Sequence, residues 1–412
     1  MKKATILLCA ILSAAALRPA IADAQQQAPA TPRFERGDSV DVRGVEIFDR
    51  IVYFPVSING FGPYPFVLDT GAGELSALDE GTARSVGLRS TIIGEGGGAG
   101  EEVVQFGLVD STTISMPGLS FAGRPLLTMP VGRLDAQWGK RKDGMVGGDL
   151  LSTLVTRIDY ERERVVFHDA AAYEYTGPGE RIPVEMWGNY IIVRSEVLLY
   201  GSEKPLEAMF LLDTGVRLSV FNSPYAKKHA LAAQSPKTLT GVTGFGIGGA
   251  SRGIVGRVRG IRIGSFLFEE PVMSFSTDTS GALADTSIAG IIGADFLSRF
   301  TVVLDYRRSQ IFLEKNAGFD SPSEFDMCGI RFAMEGEHFD LFKVFLVYEG
   351  TPADFAGIAA GDVVTTIDGR AAGSFTREDL REYLQREGEA VRFTIKRGAE
   401  TKDVTIRLKR MI

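Results

Sequence analysis

Two hexapeptides carry the chemistry that this chain can do: Phe66-Val67-Leu68-Asp69-Thr70-Gly71 and, 144 residues later, Phe210-Leu211-Leu212-Asp213-Thr214-Gly215. Each is a short apolar run that ends in a carboxylate, a hydroxyl and a glycine. The run has the length of a buried strand. Asp-Thr-Gly then reads as a turn at its end, with the glycine permitting close backbone approach. A carboxylate at the mouth of a buried strand is costly unless it is paired, hydrogen-bonded or used. A single copy would be no more than a turn closing a strand. Two copies supply a pair of carboxylates, and two carboxylates brought close together cannot both ionise cheaply, so such a pair holds one proton between them.

The context repeats as well. Gly144-Met145-Val146-Gly147-Gly148-Asp149-Leu150-Leu151 matches Gly290-Ile291-Ile292-Gly293-Ala294-Asp295-Phe296-Leu297, and Ile158-Asp159-Tyr160 matches Leu304-Asp305-Tyr306. Three matched blocks in one order make an internal duplication. The elements that must position the carboxylates are short strands between Gly/Pro turns. In the first copy these are Ile51–Ile58, Phe66–Leu68, Val103–Val109 and Val165–Phe167, with one helix over Ser76–Val86. In the second they are Tyr190–Leu199, Met209–Leu212, Gly256–Ile263 and Thr301–Leu304, with a helix over Ser223–Ala230 and an exposed loop over Thr277–Asp285. Between motif and block each copy carries a glycine cluster, containing Gly96, Gly97 and Gly98 in the first and Gly246, Gly248 and Gly249 in the second. Neither is followed by Gly-Lys-Ser/Thr, so a phosphate cradle is disfavoured. A flexible lid over a cleft or an ordinary loop both fit.

These motifs together resemble the aspartic proteases of the retropepsin/pepsin superfamily, over roughly Val42–Lys315, and Asp69-Thr70-Gly71-Ala72 is similar to the retroviral form. The resemblance implies a mainly β fold in which two duplicated retropepsin-like lobes form a bilobal acid-protease barrel. It implies that Asp69 and Asp213 share a water that attacks a peptide carbonyl, one carboxylate as base and the other as acid. Thr70 and Thr214 would tie the two loops together, Gly71 and Gly215 would leave room for the substrate, and the glycine clusters would be flaps. No metal or organic cofactor is implied. The chain departs from the pepsin pattern at Val216, where a hydroxyl would support Asp213. Arg217 follows and reads as pointing into solvent, and no tyrosine stands at a recognisable flap position.

Beyond a linker the character changes. Gly350-Thr351-Pro352-Ala353 through Gly361-Asp362-Val363-Val364 to Ile367-Asp368-Gly369 resembles the signature of bacterial PDZ domains, over about Cys328–Ile412. Thr376–Arg386 reads as an amphipathic helix with Thr376 and Asp379 at capping-box spacing. By this resemblance a peptide would add as a strand beside Phe342–Val347, with Phe342, Val344, Leu380 and Leu384 as groove residues. The usual carboxylate-binding loop is not evident, since Glu335 and Glu337 stand where amides are needed.

The opening residues Met1–Ala24 read as a cleavable export signal, with Lys2 and Lys3 ahead of a short apolar stretch and small residues near Ala22–Ala24. A bacterial periplasm with no membrane span after cleavage is the expected destination. The expected units are 1–24 signal, 25–40 disordered, 41–172 first lobe, 173–316 second lobe, 317–326 linker and 327–412 an α+β PDZ domain. A net charge of −7, with no basic stripe, argues against a nucleic-acid partner. Only Cys328 remains after cleavage, so no intrachain disulfide is expected, and His168, His229 and His338 show no ligand-like spacing for a metal. The partners implied are a peptide or protein substrate and a peptide at the PDZ groove. Two rival readings stay open: a non-catalytic peptide-binding protein of the same fold, and a hydrolase acting on another bond.

Overall fold

A computed structural model describes residues 30–412, and the expected export signal lies outside the described residues. The chain is mainly β. Its organisation follows from the two Asp-bearing strands, each of which is buried on both faces and therefore uniformly apolar at its end. Phe61–Leu68 pairs antiparallel with Ile51–Ile58 and parallel with Gly144–Val146, in the register Gly144↔Phe66, Met145↔Val67 and Val146↔Leu68. Leu206–Leu212 does the same with Tyr190–Leu198 and Gly290–Ile292, in the register Phe210↔Gly290, Leu211↔Ile291 and Leu212↔Ile292. The repeated Gly-apolar-apolar blocks are thus the flanking strands of the repeated motifs. Their leading glycines are required by crowding, because a Cβ at Gly144 would run into the Phe66 ring and one at Gly290 into the Val220 backbone.

On the far side of those blocks the pattern repeats again. Ala77–Asp79 pairs antiparallel with Gly144–Val146 and parallel with Leu119–Met129, while Val220–Phe221 pairs antiparallel with Gly290–Ile292 and parallel with Val272–Ser276. In the first sheet Val104–Met116 also pairs with both Ile51–Ile58 and Leu119–Met129. The second sheet splits the equivalent strands. Gly249–Arg257 pairs with Val272–Ser276, whereas Gly260–Ile263 pairs with Phe266–Glu269 and Tyr190–Leu198. The expected single strand Gly256–Ile263 is therefore broken, because the chain changes partners there. A third sheet of six strands joins the two halves: Leu154–Asp159 pairs antiparallel with Phe300–Asp305 at its centre. The third matched block of the sequence lies on it.

Several local expectations are corrected. The first helix is only Glu80–Ser85, because Ala77–Asp79 is taken into the sheet and Asp79 caps the helix through Gly81 and Thr82. Within the segment expected to be disordered, residues from 30 on are described and 33–34 and 39–41 are strands, paired with Leu119–Ser120 and Val166–His168. The loop 277–285 is exposed only in part, at Thr277, Thr279 and Ser280: Asp278 is 2% exposed and accepts from Ser251 Oγ at 2.7 Å and the Arg252 amide at 2.9 Å. Its carboxylate holds the loop against the hairpin. The linker is packed too, with Phe319 among Phe266, Phe268 and Phe300, and Glu324 paired with Arg410 at 2.8 Å.

The C-terminal unit has its own core and a sheet ordered Ile330–Glu335, Leu341–Val347, Val363–Ile367, Ala390–Arg397, Glu400–Arg407. The helix Arg377–Tyr383 carries the expected capping box between Thr376 and Asp379. This helix seats the unit on the rest of the chain. Arg381 bonds the buried carboxylate of Asp49, with Arg217 at 3.8 Å, and Arg377 Nε donates to Trp138 O at 3.0 Å. Tyr348 Oη donates to Val242 O at 2.8 Å and Phe345 packs edge-on against Phe245. Among the described residues no helix is long and apolar enough to cross a membrane.

Burial alone would raise the Asp49 carboxyl, but the guanidiniums of Arg381 and Arg217 outweigh it and hold it down at about 2. That contribution is present above the ordinary carboxylate value of about 4 and is lost as pH falls towards 2. Arg381→Ala is expected to cost about 2 kcal/mol at neutral pH, read from denaturant unfolding of the whole chain. An unchanged unfolding midpoint would mean that the seat rests on its apolar contacts alone.

Candidate active site

The two Asp-Thr-Gly turns meet face to face. Thr70 Oγ1 donates to Leu212 O at 2.6 Å and accepts from the Thr214 amide at 3.1 Å; Thr214 Oγ1 donates to Leu68 O at 2.7 Å and accepts from the Thr70 amide at 3.1 Å. Both threonines are wholly buried. The four bonds are related by the same near-twofold symmetry as the sequence repeat. They carry each carboxylate to the opposite loop: a Cβ at Gly71 would collide with the Asp213 carboxyl, and one at Gly215 with that of Asp69. Glycine at both positions is therefore a steric requirement of the pair.

The carboxyls of Asp69 and Asp213 hydrogen-bond each other. Burial raises both above the usual carboxylate range, and the charge of Asp69 pushes Asp213 well above it. Their support is unequal. Asp69 Oδ1 accepts from the amides of Gly71 at 2.9 Å and Ala72 at 3.1 Å, whereas Asp213 Oδ1 accepts only from Gly215, at 2.8 Å. Val216 offers no hydroxyl and packs beside a small apolar cluster that includes Leu211 and Ile291. More donors on Asp69 favour its ionised form, so the shared proton is biased towards Asp213.

Behind each turn lies a second matched device, which the sequence blocks contained but did not explain. Ser76 Oγ donates to Asp149 at 2.7 Å and accepts from Gly147; Ser219 Oγ donates to Asp295 at 2.6 Å and accepts from Gly293. Burial raises Asp149 to about 6 despite these donors. The two serines were not singled out because they fall at unequal spacings from their Asp-Thr-Gly motifs, which hides their equivalence.

Another residue missed in the sequence is Lys142. It is 5% exposed, lines the same cavity as Asp69 and Asp213, and its ammonium lies 3.4 Å from the Trp138 ring centroid. It sits in the run Lys140-Arg141-Lys142-Asp143, which looks like a solvated turn. The available signal was its position two residues before the buried block, where the second copy has Ile288. Arg217 in turn is not in solvent. It is half-buried beside Asp49, and burial together with Arg381 lowers it to about 9.

The glycine clusters form two hairpin tips that bond each other. The Gly248 amide donates to Ala99 O at 3.0 Å, the Glu102 amide to Gly248 O at 2.8 Å, and Gly100 bridges Gly248. At Gly100, with φ +90°, a Cβ would strike the Gly248 carbonyl. Gly98 and Gly246 line the cavity, while Gly96, Gly97, Gly248 and Gly249 build the hairpins behind them. The glycine density serves contact between the tips.

The cavity measures about 330 Å³ and extends from the carboxyl pair to the C-terminal unit. Leu380 and Leu384 reach it, together with Ile330, Phe332 and Met334. Phe342 and Val344 do not: they are buried in the core of a strand paired on both sides. The expectation of strand addition beside Phe342–Val347 is corrected accordingly, because Phe342, Lys343 and Val344 are already paired on both sides. The open edge is Ile330–Glu335, and the short helix Asp135–Trp138 lies against it.

Comparison with known proteins agrees with this division. Residues 200–296 match a family model described as aspartyl protease, and residues 344–397 one described as PDZ domain. A probable CtpA-like serine protease of Staphylococcus aureus (strain COL) is 30% identical over 99 residues, which are 24% of this chain and 20% of the relative. The chain thus spans about a fifth of the length of the curated relatives it matches. Among solved structures, an aspartic proteinase from Irpex lacteus is 14% identical over 69% of this chain and 100% of its own, with a TM-score of 0.42. A photosystem II D1 C-terminal processing protease is 22% identical over 22% of this chain and 24% of its own, with a TM-score of 0.20. The aspartyl protease match contains Asp213 and nearly all of its flanking block, and the PDZ match lies within the unit seated on the cleft: the chain carries an aspartyl protease domain followed by a PDZ domain.

Proposed function

We propose that this protein is an exported aspartic endopeptidase whose PDZ domain governs access to the cleft. The reading rests on one observation above all: Asp69 and Asp213, from two copies of one motif, hydrogen-bond each other at the floor of a cavity roofed by two glycine hairpins. Two duplicated lobes of retropepsin type, joined in a bilobal barrel, are the architecture that this pairing implies.

In the proposed reaction the ionised carboxylate, Asp69, takes a proton from a water whose oxygen attacks the peptide carbonyl carbon. Protonated Asp213 donates to the carbonyl oxygen, giving a tetrahedral diol. Collapse of the diol breaks the C–N bond, and the amine leaves with the proton that Asp69 accepted. A second hydroxyl proton returns to Asp213, which restores the starting pair. The apolar wall of Met129, Val131 and Trp138 suits an extended chain with apolar side chains. The PDZ helix covers one mouth of the cavity, which supports a gating role for that domain.

Cleavage of a peptide library by the mature chain from acid to neutral pH tests the reading. Asp69→Asn and Asp213→Asn are each expected to lower the rate by about 10³–10⁴-fold while leaving the fold intact. Peptide binding without cleavage by the wild-type protein would sink it in favour of a binding module. Gly71→Ala is a separate check on the geometry. Its methyl group displaces the Asp213 carboxyl, so we expect a loss of about 100-fold or more in kcat with a folded protein by circular dichroism.

A further inference from the structure

We propose that Lys142 is a positioning residue, the counter-charge that places the negative charge of the carboxyl pair on Asp69 and leaves the proton on Asp213. The inference rests on the endopeptidase reading and adds to it the group that distinguishes the two carboxyls.

The argument begins with charge balance. A pair holding one proton carries one negative charge, and an uncompensated charge in a buried site costs several kcal/mol. Lys142 brings one positive charge into the same cavity. Among the described residues its ammonium has no ion-pair partner within 4 Å, and its close contact is the face of Trp138, which attracts a cation without neutralising it. A lysine buried to 5% exposure, with its charge unspent, is expensive unless that charge acts on a neighbour.

Backbone geometry fixes where it acts. The Lys142 amide donates to Asp135 Oδ1 at 3.1 Å, and the next residue's amide donates to Pro65 O at 2.9 Å. Gly144 then enters the strand registered against Phe66, three residues before Asp69. Lys142 is thus tied to the strand that carries Asp69, and the matching position beside the Asp213 strand is the apolar Ile288. The scaffold is repeated while the charge is not.

The charged and titratable groups facing this arrangement are few. Asp69, Asp213 and Asp135 face Lys142, and the Tyr160 and Tyr306 hydroxyls face the pair from the joining sheet and are kept neutral by burial. Burial lowers Lys142 to about 8 while the three carboxylates pull it up, so it is charged throughout the acid range. The other cations lining the cavity are engaged elsewhere: Arg217 and Arg381 with Asp49, Arg377 with Trp138 O and Arg331 with Thr243 O. A positive charge beside the pair lowers the pH at which each of its two protons leaves.

The test is the pH dependence of kcat/KM for the full chain and for Lys142→Met, Lys142→Gln and Lys142→Arg. Removing the charge is expected to move both limbs of the profile upward by about one pH unit, with KM little changed, whereas Lys142→Arg keeps the wild-type limbs. Limbs that stay in place in a folded Met or Gln variant would overturn the proposal, as would a rate loss equal at every pH. Titration of the carboxyl carbons by NMR, with aspartate labelled at Cγ and assigned through Asp69→Asn, separates this inference from the peptidase reading. If the wild-type protein cuts no peptide, that reading fails. The upward shift of the two carboxyl titrations on loss of Lys142 still stands as the expected result, and its absence refutes the counter-charge.

Discussion

The centre of the molecule depends on four crossed hydrogen bonds between Thr70 and Thr214 and the loops opposite them. Each hydroxyl both donates and accepts across the pseudo-twofold axis, so neither loop can hold its position without the other. At about 1 kcal/mol net apiece, the four bonds supply about 4 kcal/mol. Two ionised carboxylates about 4 Å apart, at an effective dielectric of about 20, would repel by a similar amount. The balance is close enough that the pair holds together stably when one proton is shared. The steric demands at Gly71 and Gly215 follow from the same crossing, since each glycine faces the carboxyl of the other copy.

Around this symmetric core the chemistry is asymmetric. Asp69 receives two amides and lies on the lobe that carries Lys142, while Asp213 receives one amide and sits beside Val216. The Ser76–Asp149 and Ser219–Asp295 pairs repeat faithfully because they support backbone, and backbone geometry is what the two copies share. The groups nearest the pair differ: the position that matches Lys142 is the apolar Ile288, and Asp69 has one more amide donor than Asp213. A duplicated scaffold can therefore carry two identical carboxylates and still place them in different electrostatic surroundings.

The cavity that holds the pair is lined by elements far apart in sequence. The hairpin tips bond each other through Gly248, Ala99 and Glu102, and the PDZ helix is held at the cavity mouth by Asp49 and Trp138. Asp135–Trp138 also lies against the open edge of the PDZ sheet. The open edge of the PDZ sheet is therefore covered by that short helix, while the PDZ helix lies at the mouth of the cavity.

The sequence by itself determined the internal repeat, the two strand-turn motifs, the glycine hairpins and the PDZ signature, because each is local or is a comparison of the chain with itself. Buried apolar runs ending in Asp-Thr-Gly announce strand and turn whatever the partner. What only the tertiary structure decided are the relations between segments. Lys142 sits in a charged run that reads as solvated, and its burial follows from packing against Trp138 and the cavity wall. Arg217 looked exposed until Asp49 and the PDZ helix closed over it. Phe342 and Val344 had the apolar alternation of a groove, but pairing on both sides put them in the core and left Ile330–Glu335 as the edge. Side-chain type and spacing set which strands and turns form; which edge stays open and which charge goes unpaired depend on how those elements pack together, and local pattern carries no information about that.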